Sequence, residues 1–199
     1  MGKGADVHPV GAEARVARLL PSLAFGAAYF ACAQAGRLLS APGQTYISFW
    51  LPAGVYAAAL LLVERRRWPG LLLAALVANL AFDLSHGTSL PVTLLFYLAN
   101  TLQAVLGAWL MQRLVAERPT LGTLRELSGL IGLAALGSTL IGAWIGAGTL
   151  VYFRLSSSFM ASLAVWWGSC AMAVALVAPF MLTWLQPASR RAYALGNAR

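Results

Sequence analysis

Charge is what this chain has least of. Only 10% of its 199 residues are Asp, Glu, Lys or Arg, and only six of them are acidic. That excludes an ordinary soluble domain, in which about a quarter of the residues are charged. Histidine and cysteine are scarce too, with two of each, and no C-x-x-C occurs. A disulfide framework and a usual zinc site are therefore not expected, and Cys32 and Cys170 read as small apolar residues inside hydrophobic runs. There is no P-loop and no G-x-G-x-x-G. Asp6, Glu13, Glu64, Glu117 and Glu126 fall in tails or loops, as does His8. No nucleophile, base and orienting group converge, so neither an enzyme nor a bound cofactor or metal is expected. Low-complexity segments are absent, and no polar stretch exceeds about twenty residues, which leaves no room for a separate cytosolic catalytic domain.

What the chain has is apolar sequence: 60% hydrophobic residues and a mean hydropathy of +0.73. Six runs are each near or above the ~17 to 25 residues a membrane-crossing helix needs. They are Leu19 to Leu39, Ile47 to Val63, Trp68 to Leu84, Leu90 to Met111, Leu127 to Val151 and Phe159 to Leu185. Drawn as alternating crossings, they put Lys3, Arg15, Arg18, Arg65, Arg66, Arg67, Arg113, Arg118, Arg125, Arg190, Arg191 and Arg199 on one side. Only Arg37 and Arg154 fall on the other. The positive-inside rule makes the crowded side cytoplasmic. The expectation is an all-α, multi-pass membrane protein of six transmembrane helices with both termini cytoplasmic. Its tails are residues 1–18 and 186–199 and its membrane domain residues 19–185. The net charge of +8 is split into short clusters beside the membrane. That distribution fits topology and anionic lipid headgroups rather than nucleic acid.

The first run also imitates a signal peptide, with Ala31-Cys32-Ala33 before Gln34 as a cleavage site. It is longer than a typical ~7 to 15 residue h-region, which favours an uncleaved span. Gly142-Ala143-Trp144-Ile145-Gly146 in the fifth run is a G-x-x-x-G, read first as packing within the chain and second as a dimer contact. Pro69-Gly70 after Trp68 marks a helix start, with Trp68 as an interfacial anchor.

The candidate site rests on polar residues at membrane depth. At ~1.5 Å per residue, Asn79 and Asn100 both lie roughly 15 Å from the ends of their spans and so can meet near the midplane. Gln103 follows three residues later on the same face. Pro52 and Gly54 stand a turn or so from the outer end of the second span, where proline removes a backbone hydrogen bond. Trp166 and Trp167 reach similar depth with Ser169 just below. Together these eight residues are the expected lining of a ligand cavity in the outer half of the membrane. The competing use of each is interhelical hydrogen bonding, worth under ~1 to 2 kcal/mol apiece. Asp83, four residues after Asn79, is the only carboxylate of the outer side and is expected as a solvated helix cap, with Arg37, Arg154 or His86 in range. Asp83 and His86 are too few for a usual metal site.

These residues carry a resemblance to the first MASE type of membrane-associated sensor domain, over roughly Ile47 to Leu185. Phe49-Trp50-Leu51-Pro52-Ala53-Gly54 resembles its Trp-x-Pro-x-Gly segment, and Trp68-Pro69-Gly70 with Asn79 its W-P-G and downstream Asn. Asn100-Thr101-Leu102-Gln103 with Gly107-Ala108-Trp109-Leu110 resembles its N-T-L-E…G-A-W-L run, and Trp166-Trp167 with Pro179 its closing W-W…P. Gln103 stands where the family often has Glu, and Ser169 and Cys170 where it has a Gly-Asp pair, so the expected site is neutral. The family typically continues for two further spans and an output domain, whereas only Gln186 to Arg199 follow here.

The resemblance implies a sensory or ligand-binding module for a small molecule or lipid, acting through a partner signalling protein. In that reading Asn79, Asn100 and Gln103 orient the ligand, Trp166 and Trp167 wall it, and Pro52 and Gly54 let the second span flex. The alternatives are the substrate-binding subunit of an energy-coupling-factor transporter, with a transport partner, and an accessory subunit of a membrane complex. Membrane lipids are expected contacts, and a homo-oligomer is open.

Overall fold

Helix formation follows the apolar runs, and the boundaries follow proline and the ends of apolar sequence. The computed structural model describes residues 10–40, 47 and 49–185, with side chains from residue 19 onward. Helix α1 spans Val10–Leu38, α2 Leu51–Leu62, α3 Trp68–Ser85 and α4 Leu90–Leu114. A short α5, Leu124–Gly129, runs through a π-helical stretch, Leu130–Ser138, into α6, Thr139–Tyr152. The last helix, α7, is Phe159–Leu185. Proline sits in the first turn of α2, α3 and α4, where its missing N–H costs nothing. No strand occurs among the described residues.

Among the described residues, five helices are long and apolar enough to cross a membrane: those within Leu19–Leu38, Arg65–Ser85, Leu90–Leu114, Leu124–Tyr152 and Phe159–Leu185. The second expected span is different. It was expected from Ile47 but is helical only from Leu51, and Pro52 lies in its first turn, so no helical hydrogen bond is lost there. At 12 residues α2 is about 18 Å long, short of the ~30 Å hydrocarbon core. It is instead the centre of the bundle, buried from Pro52 to Leu61 and packed on α7, α1 and α4.

The other helices surround it. The main pairings are α1 with α3, α3 with α4, and α4 with α6 and the π stretch, which also meet α7. Tyr29, Tyr56, Leu60, Met111, Leu130 and Leu182 are the large fully buried side chains. Leu23, Leu73, Val77, Trp144, Leu176, Phe180 and Trp184 are exposed. A surface this apolar suits lipid better than water.

Two boundaries differ from expectation. Helix α1 begins at Val10, nine residues inside the expected N-terminal tail, because Ala, Glu, Arg and Leu there are strong helix formers. It runs on through Ala31-Cys32-Ala33 to Leu38. The fifth run is interrupted by its π stretch, where carbonyls fall out of register and side chains meet them. Ser138 Oγ donates to the Ala134 carbonyl at 2.8 Å, Thr139 Oγ1 to that of Ala135, and Trp167 Nε1 to that of Leu136 at 3.0 Å. Residues 1–9 and 186–199, expected as cytoplasmic, lie outside the described residues.

Trp68 lies at the start of α3, as its neighbour Pro69 indicated. Its indole N–H reaches back to the Leu60 carbonyl in the last turn of α2 at 3.0 Å. A carbonyl without a partner in its own helix is thereby satisfied.

Candidate functional site

The amides of α3 and α4 do meet. Asn79 is 1% exposed and Asn100 3%, and Asn100 Nδ2 donates to Asn79 Oδ1 at 3.4 Å. The same oxygen accepts the Tyr29 hydroxyl of α1 at 3.1 Å. Gln103 Nε2 donates to Asn100 Oδ1 at 3.5 Å, one turn further along α4. The shortest bond continues the series: Asn79 Nδ2 donates to Asp83 Oδ2 at 2.7 Å. That length is in the range of charge-assisted hydrogen bonds, whereas the 3.4 and 3.5 Å contacts are long and weak.

Asp83 is the residue the sequence reading placed wrongly. It is 7% exposed rather than a solvated cap, and no Arg or His pairs with its side chain among the described residues. The signal that points to it is its spacing, four residues from Asn79 and therefore one turn above it on one helical face. Its backbone carbonyl closes the end of α3 by accepting the N–H groups of His86 and Thr88.

Beside this network is a cavity of about 490 Å³, open at the end where α1, α3 and α6 finish and α2, α4 and α7 begin. Asn79, Asp83, Asn100, Cys170, Ser169 and Trp166 line it, with Trp50, Phe82, Val92, Phe96 and Val165 as apolar wall. Arg37, His86, Gly87, Thr88, Ser89, Phe153 and Leu155 also contribute. The volume is that of a small-molecule site, and a mainly apolar wall with a few convergent polar groups is the usual character of one.

Four of the eight expected residues, Asn79, Asn100, Trp166 and Ser169, line this cavity. The other four do not. Gly54 of α2 faces α7, where a Cβ would stand 2.3 Å from the Ala173 carbonyl oxygen, and its role is close helix packing. Pro52 is buried beside it in the first turn of α2. Gln103 is buried against Gly142 of α6, and Trp167 turns to the π stretch. The G-x-x-x-G serves contacts within the chain. Gly142 receives Gln103 and the Ala99 carbonyl, and Gly146 receives the Trp166 ring, with a Cβ there falling 2.5 Å from its carbons. That seat, with Phe96 at 5.0 Å between ring centroids, fixes the angle at which Trp166 enters the wall.

Ser169 has a second task. Its Oγ accepts the Trp50 N–H at 2.7 Å and donates to the Ile47 carbonyl at 3.2 Å, tying the segment before α2 to α7. Trp50 is thereby held edge-on to Phe82, with centroids 5.6 Å apart. Ser169→Ala leaves both backbone groups without that partner and is expected to cost about 1 to 2 kcal/mol. A lowered thermal midpoint in detergent, restored in part by Ser169→Thr, would show it. An unchanged midpoint in Ser169→Ala would mean that water replaces the hydroxyl.

Comparison with curated proteins gave no match, and comparison with solved structures gave none either. The family model MASE1 matches residues 21–197, nearly the whole chain and wider than the segment the motifs alone suggested. On that match, and with its bundle of apolar helices, the chain belongs to the MASE1 family of membrane sensory domains.

Proposed function

We propose that this chain is a sensory module that binds a small molecule or lipid in the cavity beside Asn79, Asp83 and Asn100 and passes the bound state to a partner protein. The observation that supports it is the meeting of a buried carboxylate–amide pair with an aromatic-walled cavity of about 490 Å³. Side-chain amides placed only to hold helices together would need no open volume beside them. In the six-crossing arrangement, with α2 completing the count, Arg37 and His86 stand at the outer membrane face and the cavity opens there.

Occupancy is expected to change the structure through α2. Trp50 lines the cavity and precedes the first turn of α2, which packs on α7 and α1. A ligand that moves the Trp50 ring therefore shifts a central helix against its neighbours. Native mass spectrometry of the gently solubilised protein tests the reading. A small-molecule or lipid adduct is expected on the parent chain, with occupancy reduced about tenfold in Asn100→Ala, as the loss of one buried polar contact predicts. An adduct held equally by Asn100→Ala would place the ligand elsewhere.

A further inference from the structure

Resting on the reading of this cavity as a ligand site, we propose that its ligand carries a positively charged nitrogen, held by Asp83 and the aromatic wall. The three amides are ordered in one direction. Gln103 gives its N–H to Asn100, Asn100 to Asn79, and Asn79 to Asp83 Oδ2. The last of these is the short one, at 2.7 Å, and it presents a donor to the carboxylate, which supports an anion there. Asn79 is the only side chain among the described residues that hydrogen-bonds to it. A buried carboxylate stays charged at acceptable cost when a cation joins it.

No such cation pairs with Asp83 among the described residues. Arg37 and His86 line the same cavity, yet neither forms an ion pair among the described residues. His86 is turned to its own helix, its Nδ1 2.7 Å from the Phe82 carbonyl and its ring 4.6 Å from that of Phe82. A metal ion fits poorly, since one carboxylate is too few ligands and no group of three His, Cys, Asp or Glu gathers among the described residues. An organic ammonium fits better. Trp50, Phe82, Phe96 and Trp166 line the same cavity as the carboxylate, and a desolvated cation over an aromatic face gains about 2 kcal/mol. Arg37, exposed in the last turn of α1, favours a neutral or anionic group toward the mouth. Both a free amine and the headgroup of an amine-bearing phospholipid have that chemistry.

The test uses the full chain in nanodiscs of phosphatidylglycerol, which carries no amine, with choline, ethanolamine and 3,3-dimethylbutan-1-ol as probes. The last is the uncharged isostere of choline. Choline or ethanolamine is expected to raise the thermal midpoint and change tryptophan fluorescence. The isostere should bind about tenfold more weakly. Asp83→Asn, which retains a hydrogen-bonding shape beside Asn79, should lose the preference for the charged probe. If only nanodiscs containing phosphatidylethanolamine stabilise the parent chain, and Asp83→Asn removes that gain, the cation is a lipid headgroup. Equal binding of choline and its isostere would overturn the charge requirement while leaving the cavity a ligand site. A chain indifferent to all three probes and to phosphatidylethanolamine would overturn the proposal, and the mass-spectrometric adduct would then judge the cavity separately.

Discussion

Gly54→Ala is expected to lower the thermal midpoint of the detergent-solubilised protein, although alanine is the better helix former. The added Cβ would stand 2.3 Å from the Ala173 carbonyl oxygen, 2.6 Å from Val177 Cβ and 2.9 Å from the Ala173 carbonyl carbon. Two of these three atoms are backbone, so α7 as a whole must move. Overpacking of this kind costs about 1 to 3 kcal/mol, against about 1 kcal/mol gained in helix propensity. Overpacking wins, and Gly54→Leu should be worse. The control is Gly148→Ala in α6, where nothing lies within 4 Å of the new atom and only the propensity gain remains. The same substitution is thus expected to have opposite signs at the two positions. A stabilised Gly54→Ala would mean that the contact between α2 and α7 is looser than its geometry indicates.

Asn79→Leu is the second large effect. Leucine fills a similar volume but offers no hydrogen bond to the Tyr29 hydroxyl, to Asn100 Nδ2 or to Asp83 Oδ2. Leaving a buried hydrogen-bonding group without its partner costs about 1 to 3 kcal/mol, and more for a carboxylate, and here three groups lose one. A loss of that size would show as a large drop in thermal midpoint, or as failure to recover folded protein. The diagnostic is the double variant Asn79→Leu with Asp83→Leu. Removing the stranded carboxylate should return part of the stability, because deleting both partners costs less than orphaning one. A double variant less stable than Asn79→Leu alone would show that Asp83 contributes through some other contact.

The polar residues buried in apolar runs were legible from the sequence, and so was their depth, because rise per residue and the thickness of a bilayer locate a side chain along its helix. Which way each points was not. Trp166 and Trp167 are neighbours at one depth, but a helix turns by about 100° per residue. One therefore lines the cavity while the other caps the Leu136 carbonyl. Pro52 and Gly54 were legible as special positions and misread in kind. The proline starts α2 instead of removing a hydrogen bond within a span, and the glycine, expected to let that span flex, admits α7 at close range.

Asp83 shows the limit most clearly. Position along α3 put it at a helix end, where a carboxylate ordinarily meets water. It lines the cavity together with Trp50, Phe96 and Trp166, residues 33, 13 and 83 positions away in sequence. Periodicity within α3 puts it on the face of Asn79, but the walls that enclose that face come from other helices.

By itself, then, the sequence determined a membrane protein of helices, most of the helix limits, the depth of the amides and the family, because hydropathy, proline and short motifs act over a few turns of chain. Tertiary structure alone decided that α2 is a short buried core rather than a full-length apolar span, that Asp83 belongs to the site, and which four of the eight expected residues face the cavity. Those facts depend on which helix packs beside which, and a side chain's surroundings in a bundle are supplied by other helices.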